Sequence, residues 1–450
     1  MRILAARWLL PIVSAPVEQG AIAIDGDRII AVENLAELQL RFPDAVVQDL
    51  GEAAILPGLI NLHTHLELTV LRGRLEMTAF LPWIIELVTL KRERLTEKNL
   101  LVSARLGCLE AIRSGITTVA DTANVDAVLP ALIESGQRGV VFHECFDAAF
   151  NAAAESALRL EKQLDVLDGR LDTGDAGLRD RLSIGISPHA PYTVSADLYR
   201  RTVKIAERRG LDLALHASES AAEESLLKDG SGVFAEGLRE RGIAWQAPGR
   251  SMISYLQELG VLERGPLLIH CVNVDESDLA LMARNGARMA HCPKSNAKLG
   301  HGIAPLGEAL RLGIRVGLGT DSVASNNNCN LIEESRFALL LHRAQGNTAI
   351  DASQMLRMMT LDSARALGLE SLIGSLEVGK KADLIAIDLS NAHNTPNYDP
   401  ASAIIFSCSG RDCIMTMVAG RVLYEGGQVE TIDEEATLLE AGAIAVKLRG

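Results

Sequence analysis

The chain has 450 residues, of which 48% are hydrophobic and 23% charged, a composition that excludes a largely disordered protein. Its length accommodates one large barrel with an accessory domain, or two to three ordinary domains. The net charge of -14, with basic residues scattered rather than gathered into a stripe, argues against nucleic acid and anionic membranes as partners.

The cysteines and the N-terminal residues indicate in which cellular compartment the protein is expected. The seven cysteines include no Cys-x-x-Cys spacing, so neither a disulfide framework nor a thiolate zinc site is indicated, and we expect a cytoplasmic protein. Residues 1–13 imitate a secretion signal, but Arg7 interrupts the apolar run and residues 21–32 have the pattern of a hairpin, which favours structure over export. The sequence contains no uncharged apolar run long enough to span a membrane.

The first 56 residues predict a small β-layer. Short β-type runs at 21–24, 28–32 and 46–50 are separated by Gly and Asp turns, and one helical pattern lies at 34–41.

From residue 57 to residue 369 the pattern changes to apolar runs that alternate with amphipathic segments, which is typical of strand and helix units with parallel strands. Helical patterns separate the runs, as at 99–114, 196–209, 275–285 and 305–312. Eight strands are the number that closes a (β/α)8 barrel of the α/β class. The eight predicted strands are residues 60–65, 117–121, 140–145, 182–188, 211–217, 267–271, 288–292 and 315–321.

The last third of the chain returns to a β pattern. Two helical patterns, 331–345 and 352–367, follow the eighth strand, and a final one covers 434–448. We predict that residues 1–56 and 370–450 together form one β-sandwich that flanks the barrel. The predicted strands of its second part are 382–388, 403–407, 413–418 and 421–424.

Polar residues at the ends of the predicted barrel strands are the candidates for chemistry, because function gathers at the carboxyl ends of barrel strands. His63 and His65 end the first strand and, because side chains alternate along a strand, point to the same side. The others are His189, His216, His270, His291 and Asp321, at the ends of strands four to eight. For any one histidine, the alternative is a hydrogen-bonded core residue.

A metal site follows from four of these residues. His63, His65, His216 and Asp321 offer three imidazoles and one carboxylate, which suits one Zn(II) or Fe(II) ion with a position left for water. No lysine ends the fourth strand to bridge a second ion, so we predict a single metal.

Two further residues are placed to move protons. Glu219 follows His216 by three residues at a predicted helix start, and it could shuttle a proton or be an ordinary first-turn glutamate that the helix dipole favours. His270 is the second candidate acid, base or water-orienting group.

The motifs closely resemble those of the amidohydrolase superfamily, in its branch of mononuclear aminohydrolases. The resemblance implies His63, His65, His216 and Asp321 as ligands, Glu219 as the proton shuttle to a ring nitrogen, and His270 with Asp321 as partners of the attacking water. It also implies attack of metal hydroxide on an amine-bearing ring carbon, with release of ammonia. The motifs lie at residues 57–65, 216–219, 268–271, 291–296, 317–322 and 379–384.

Substrate choice rests on smaller similarities within that family. Residues 187–193 resemble the segment with which purine-nucleoside deaminases contact the ribose side, which implies a substrate contact for His189. The resemblance places Asn296 in the matching seventh-strand loop as a further contact. His301 lies near that loop, either with a role in the site or as a solvated residue. The asparagines of residues 325–330 could shape the site, and Cys271, Cys292 and Cys329 are expected to be buried inert thiols.

The stretch after His65 departs from the adenosylhomocysteine-deaminase pattern. Glu67 stands where those enzymes carry a small or apolar residue, and the variant resembles the aminodeoxyfutalosine deaminases of menaquinone biosynthesis. Glu67 could therefore bind substrate or only cap local structure. Trp83 could stack on the ligand or pack on its own helix.

These similarities predict a small nucleoside-like substrate, with 6-aminodeoxyfutalosine placed first and methylthioadenosine, adenosylhomocysteine or adenosine second. An alternative is aminohydrolysis or dechlorination of another ring, such as a triazine, pterin, guanine or cytosine. A non-catalytic assembly protein on the same fold is a further alternative, although such proteins lose metal ligands that this chain keeps. The resemblance makes a homo-oligomer plausible.

Overall fold

The computed structural model describes residues 1–76, 79–147, 149, 151–172 and 176–449. Three sheets organise this part of the chain: a four-stranded sheet, an eight-stranded parallel sheet and a seven-stranded sheet. In the described part of the chain, no helix combines the length and the apolar composition that crossing a membrane requires.

The N-terminal segment forms short strands, as the sequence predicts. Strands β4 and β5 are an antiparallel hairpin whose turn holds Gly26 at a φ of +57°, a backbone conformation that glycine adopts without strain. Asn34 caps the following helix by accepting a hydrogen bond from the backbone N–H of Glu37. The elements are β1 Arg2–Ala5, β2 Trp8–Leu9, β3 Val17–Glu18, β4 Gly20–Asp25, β5 Arg28–Asn34, α1 Leu35–Arg41, β6 Val46–Asp49 and β7 Ala53–Pro57.

Eight parallel strands form a nearly closed barrel, which confirms the predicted fold. Neighbours along the chain are neighbours in the sheet, and the segment after the last strand reaches the first, where the Asp321 N–H donates to the His63 carbonyl at 2.9 Å. All eight predicted strands are present. They are β8 Leu59–Thr64, β9 Ile116–Ala123, β10 Arg138–Cys145, β11 Leu182–Pro188, β12 Asp212–Ala217, β13 Leu267–His270, β14 Arg288–His291 and β15 Arg315–Leu318.

Helices surround the barrel, and their ends carry the expected caps. Helix α7 spans the predicted residues because Ser195 accepts a hydrogen bond from the Leu198 N–H at its start, and Gly210 adopts the left-handed conformation at its end. The helices of this region are α2 Phe80–Arg94, α3 Glu97–Arg113, α4 Val128–Ser135, α5 Ala153–Leu171, α6 Ala176–Arg181, α7 Ala196–Arg209, α8 Ala221–Lys228, α9 Gly232–Glu240, α10 Met252–Glu258, α11 Glu276–Arg284, α12 Pro293–Lys298, α13 Leu306–Arg311, α14 Val323–Asn326, α15 Leu331–Ala344, α16 Ala352–Met359 and α17 Leu361–Ala366.

The two chain ends share the seven-stranded sheet. Strand β16 pairs antiparallel with β7 of the N-terminal segment, and a buried cluster that includes Leu4, Ile22, Leu384 and Met417 packs between this sheet and the four-stranded one, as in a sandwich. The domain boundaries at residues 56 and 369 stay a prediction. The remaining elements are β16 Leu384–Asp388, α18 Pro400–Phe406, β17 Cys413–Val418, β18 Arg421–Glu425, β19 Gln428–Val429 and α19 Glu434–Arg449.

Two predicted elements are wrong. Residues 403–407 were expected as a strand, but they lie in and just after helix α18, which starts with Pro400 after a cap in which Asp399 accepts from two backbone N–H groups. A short apolar run fits either structure, and here the cap decides. The single helix expected at 352–367 is two helices, α16 and α17, because Thr360 leaves the helical conformation at φ -130° and ψ -95°.

A buried ion pair joins the barrel to the returning β-layer. The Nε atom of Arg138, on β10, lies 2.8 Å from Oδ2 of Asp383, and Oδ1 of Asp383 accepts the Ala419 N–H at 2.7 Å. Both side chains of the pair are buried. Asp383 belongs to the motif at residues 379–384, so this motif has a structural task at the junction.

Candidate active site

The four predicted metal ligands converge at the carboxyl end of the barrel. The Nε2 atoms of His63 and His65 lie 3.1 and 3.6 Å from Oδ1 of Asp321, and the ring of His216 is centred 5.0 Å from that of His63. Ligand atoms about 2.0–2.1 Å from one tetrahedral ion lie roughly 3.3 Å apart. The spacing of the His63, His65 and Asp321 donor atoms therefore fits one divalent metal ion, and the His216 ring lies beside them.

Local backbone geometry brings the first and last strands together here. A Cβ atom at Gly319 would lie 2.9 Å from the backbone nitrogen of His63, closer than real Cβ atoms approach, so only glycine allows this approach. The residues Ser218, His270, Cys271 and Asp321 have φ values of 52°, 73°, 49° and 57°. Such strained conformations cluster at functional sites, where the surrounding structure maintains them.

Burial sets the protonation states that a metal ion requires. It lowers the pKa of His63 to about 4, and burial together with the neighbouring imidazoles holds the pKa of His216 well below its usual value. For Asp321 burial alone would raise the pKa, but the hydrogen bond with His63 and the nearby imidazoles His270 and His65 outweigh it and hold the pKa well below its usual range. Neutral imidazoles and an ionised carboxylate are the forms that bind Zn(II) or Fe(II).

Further groups orient these donors from behind. The Oγ atoms of Ser295 and Ser325 donate to Oδ2 of Asp321 at 2.5 and 2.8 Å. Nδ1 of His216 lies 3.3 Å from the His189 carbonyl oxygen, and a hydrogen bond from that nitrogen would leave Nε2 free for an ion. Such supporting contacts fix the tautomer and the orientation of metal-binding residues.

The predicted proton-handling residues also lie together. Oε1 of Glu219 is 3.6 Å from Nε2 of His270, and Nδ1 of His270 lies 2.8 Å from the amide oxygen of Asn296. Burial alone would raise the pKa of Glu219, but His270 and His301 outweigh it and lower the pKa. Glu219 precedes the helix rather than starting it, since Ser220 is the cap of α8.

His301 is the third partner of this group, and the structure excludes the alternative of a solvated loop residue. Its Nε2 atom lies 3.3 Å from Oε1 of Glu219, and its side chain is only 3% exposed. The ring of Phe80, at the start of helix α2, meets the His301 ring edge to face at a centroid distance of 4.5 Å. Helix α2 thus covers the side of the site that holds Glu219.

The predicted substrate contacts occupy different surroundings. The ring of His189 is centred 4.8 Å from that of His216, and its Nδ1 atom lies 2.8 Å from the Thr193 hydroxyl. Asn296 is buried behind His270, and its Nδ2 atom has no hydrogen-bond partner among the described residues. Trp83 on α2 is buried and stacks on Phe80. Their contacts with substrate stay predictions.

Glu67 does not continue the first strand. Strand β8 ends at Thr64, and a 3-10 helix covers Leu66–Leu71, so Glu67 lies in that helix and not on the strand that carries His63. Its buried carboxylate accepts a hydrogen bond from Nζ of Lys91 at 2.7 Å. A cation on helix α2 thereby compensates the buried charge of Glu67.

The asparagine-rich loop after Asp321 is built by its own contacts. The side-chain amide of Asn326 donates to the Thr320 carbonyl at 2.6 Å and to Glu334 at 2.7 Å. Asn327 adopts the left-handed conformation that ends helix α14, and Asn330 caps helix α15. Burial raises the pKa of the thiols of Cys271, Cys292 and Cys329, in keeping with inert cysteines.

Glu144 is a residue of this site that the sequence reasoning missed. It lies near the end of the third barrel strand, and a carboxylate oxygen of Glu144 lies within 4.8 Å of ring nitrogens of His189 and His216. The signal that could have found it was available, because an acidic residue at the carboxyl end of a barrel strand is a candidate by position alone.

Similarity to known proteins extends over almost the whole chain. The profile of the amidohydrolase family matches residues 54–423, and that of an imidazolonepropionase-like composite domain of bacteria matches residues 20–45. A 5-methylthioadenosine/S-adenosylhomocysteine deaminase of Moorella thermoacetica is 33% identical over 430 residues, which cover 95% of each chain. A 5'-deoxyadenosine deaminase of Methanothermobacter thermautotrophicus is 31% identical over 438 residues, 96% of each chain.

Solved structures with the same fold include enzymes of this kind. The crystal structure of an adenosine deaminase from Xanthomonas campestris with bound zinc has a TM-score of 0.88 and 27% identity, and the match covers 99% of this chain and 98% of that one. The Helicobacter pylori aminofutalosine deaminase in complex with methylthio-coformycin has a TM-score of 0.80 over 94% of this chain and 100% of its own, at 20% identity. At that identity the likeness concerns the fold alone.

Proposed function

The chain belongs to the amidohydrolase family and is a hydrolase of C–N bonds other than peptide bonds, and on this premise we propose that it deaminates an adenine-bearing nucleoside. The single observation that carries the proposal is the convergence of His63, His65, His216 and Asp321 beside the carboxylate of Glu219. The reaction adds one water to the amine-bearing ring carbon and releases ammonia, which leaves a ring carbonyl.

We assign one divalent ion, Zn(II) or Fe(II), to His63, His65, His216 and Asp321. When bound, the ion supplies Lewis-acid chemistry that makes water acidic enough to act as a nucleophile near neutral pH. The zinc in the adenosine deaminase of Xanthomonas campestris supports this assignment.

Glu219 is the residue that moves the proton. Its carboxylate accepts a proton from the attacking water and delivers it to a ring nitrogen of the substrate, which needs it as the carbon becomes tetrahedral. The lowered pKa of Glu219 supports this role, because only the ionised form can accept a proton.

His270 and His301 position and activate this carboxylate. Both Nε2 atoms face Oε1 of Glu219, and Asn296 fixes the ring of His270 from behind. Polar groups arranged beforehand around a group that changes charge are effective in a buried site, since no solvent must reorganise. His270 can also orient the water.

Among adenine nucleosides, the relatives favour those with a modified 5' position. Deaminases of methylthioadenosine, adenosylhomocysteine and 5'-deoxyadenosine match at 31% to 33% identity over nearly the full chain, so we now place these nucleosides first. 6-Aminodeoxyfutalosine is retained as the second candidate, on the sequence variant around Glu67. This order reverses the one suggested by the sequence motifs.

Ammonia release by the metal-loaded protein tests the proposal. The panel comprises 5'-methylthioadenosine, S-adenosylhomocysteine, 5'-deoxyadenosine, adenosine and 6-aminodeoxyfutalosine, with guanine, cytosine, a pterin and an aminotriazine as the other ring types. We expect turnover of at least one adenine nucleoside and loss of it after chelation of the metal. Turnover restricted to the other rings would contradict the nucleoside proposal, and a protein that binds no metal would contradict the enzymatic one.

A further inference from the structure

Glu144 has no part in the reaction steps above, yet it is placed to contact a ligand. Its side chain is buried, with the whole residue 6% exposed, and its Oε1 atom has no hydrogen-bond partner among the described residues. A buried carboxylate oxygen without a donor is costly, because it has lost its water without gaining a partner. A donor that arrives with a ligand would remove this cost.

The order of the strands places Glu144 and His270 on different sides of His216 along the barrel sheet. Strands β10, β11 and β12 are neighbours in the barrel, and they carry Glu144, His189 and His216 at their carboxyl ends. Glu219 follows β12, and His270 ends the next strand, β13. A substrate whose ring faces Glu219 can therefore extend its remaining part towards Glu144 and His189.

Glu144 lines a cavity of about 500 Å³, and no other residue of the candidate active site is among the described residues that line it. Small-molecule sites in proteins have volumes of roughly 300–1,000 Å³, so this space is large enough for a sugar and a substituent. Segments after β9 and along α5 supply the other polar walls, among them Asn124, Asp126, Arg159 and Gln163.

The surroundings of Glu144 favour a neutral hydroxyl as its partner. Burial raises the pKa of Glu144, and the nearby carboxylate of Glu67 raises it further. His65 and Lys91 lower this pKa but do not outweigh burial. A second carboxylate brought by a ligand would be repelled by Glu144, whereas a hydroxyl can donate a hydrogen bond to an ionised carboxylate or accept one from a protonated carboxyl group.

Resting on the proposed deamination of a nucleoside, we propose that Glu144 binds the sugar of the substrate, with its carboxylate as hydrogen-bond acceptor for the ribose 2' and 3' hydroxyls. A hydrogen bond from a neutral group to a buried carboxylate is among the stronger ones, and losing it corresponds to a change of about 10- to 100-fold in affinity.

The test removes either partner of this contact, from the enzyme or from the substrate. Metal-loaded wild type, Glu144→Gln and Glu134→Gln are compared on adenosine and 2',3'-dideoxyadenosine. Glu134 is the matched control, since it is a helix glutamate on the outside of the barrel that pairs with Arg105 at 2.7 Å. Calorimetry with the products inosine and 2',3'-dideoxyinosine measures binding without turnover.

We expect wild type to lose about 10- to 100-fold in kcat/KM on the dideoxy substrate, mostly through KM. Glu144→Gln should lose a similar factor in kcat/KM on adenosine. On the dideoxy substrate its kcat/KM should be close to that of wild type, because the contact is already absent. Product binding should show the same pattern. Glu134→Gln should behave as wild type.

Three results separate the possibilities. An equal loss on both substrates in Glu144→Gln overturns the sugar contact, and so does a loss of bound metal in this variant, which would make Glu144 a metal ligand. A wild-type enzyme that turns over other rings but no adenine nucleoside overturns the proposed function itself.

Discussion

Nε2 of His301 lies 3.3 Å from Oε1 of Glu219, and both side chains are more than nine-tenths buried. The two residues follow different barrel strands, β14 and β12, so the fold alone brings them together. His301 is also covered by Phe80 of helix α2, which keeps this contact away from solvent. A contact of this kind stabilises the ionised carboxylate that a proton shuttle needs.

Replacing Glu219 by Gln should abolish turnover while the metal content survives. Glutamine keeps the volume of the side chain but cannot accept and release a proton, and general acid–base catalysis contributes about 10²- to 10⁴-fold. Steady-state ammonia release, with metal analysis of the same preparation, measures both quantities. Glu224→Gln, on the exposed side of helix α8 where Glu224 pairs with Lys228, is the control, and substantial activity in Glu219→Gln would sink the assignment.

Replacing His301 by Asn should move the acid limb of the pH profile to higher pH. His301 is one of the groups that lower the pKa of Glu219. Without it this pKa rises, so that on lowering the pH Glu219 becomes protonated, and activity is lost, at a higher pH. The profile of log kcat/KM against pH measures the shift. The exposed His393, which pairs with Asp412 at 2.8 Å, supplies the control His393→Asn, and an unchanged acid limb in His301→Asn would refute the role of His301.

Replacing Ser295 by Ala should weaken metal binding without disturbing the four ligands. The Ser295 hydroxyl donates to Oδ2 of Asp321 at 2.5 Å, and loss of such a supporting contact costs about 10- to 100-fold in metal affinity or activity. Competition with a chelator of known affinity measures the change. Asp321→Asn should lose far more, and Ser277→Ala, at an exposed helix start, should lose nothing; equal affinities in Ser295→Ala and wild type would contradict the prediction.

Breaking the buried pair of Arg138 and Asp383 should destabilise the fold rather than alter catalysis. Arg138→Met leaves the Asp383 carboxylate buried without its cation, which costs about 3–5 kcal/mol. In the double variant Arg138→Met with Asp383→Asn no charge is left unpaired, and an amide oxygen can still accept the Ala419 N–H. Denaturant unfolding should therefore find the double variant more stable than Arg138→Met, and the reverse order would show that the charge is not the cause.

Much of this fold could be predicted from the sequence because the signals are local. The eight barrel strands are buried on both faces, so each is a short apolar run that the chain itself displays. The candidate metal ligands could be named from the sequence, because the carboxyl ends of barrel strands must meet at one face whatever the details of packing. The strand prediction for residues 403–407 was wrong because a short apolar run fits a strand and a helix equally well. Here the cap formed by Asp399 and Pro400 makes the segment a helix.

The sequence by itself therefore determined the architecture, the family, and the candidate metal ligands with Glu219. Only the tertiary structure decided which residues surround them: His301 against Glu219, Lys91 against Glu67, and Glu144 beside His189 and His216. Each of these contacts joins segments that are far apart along the chain and are placed by helix packing and loop geometry. Periodicity records which face of an element is buried, but it carries no information about which distant side chain will lie against it.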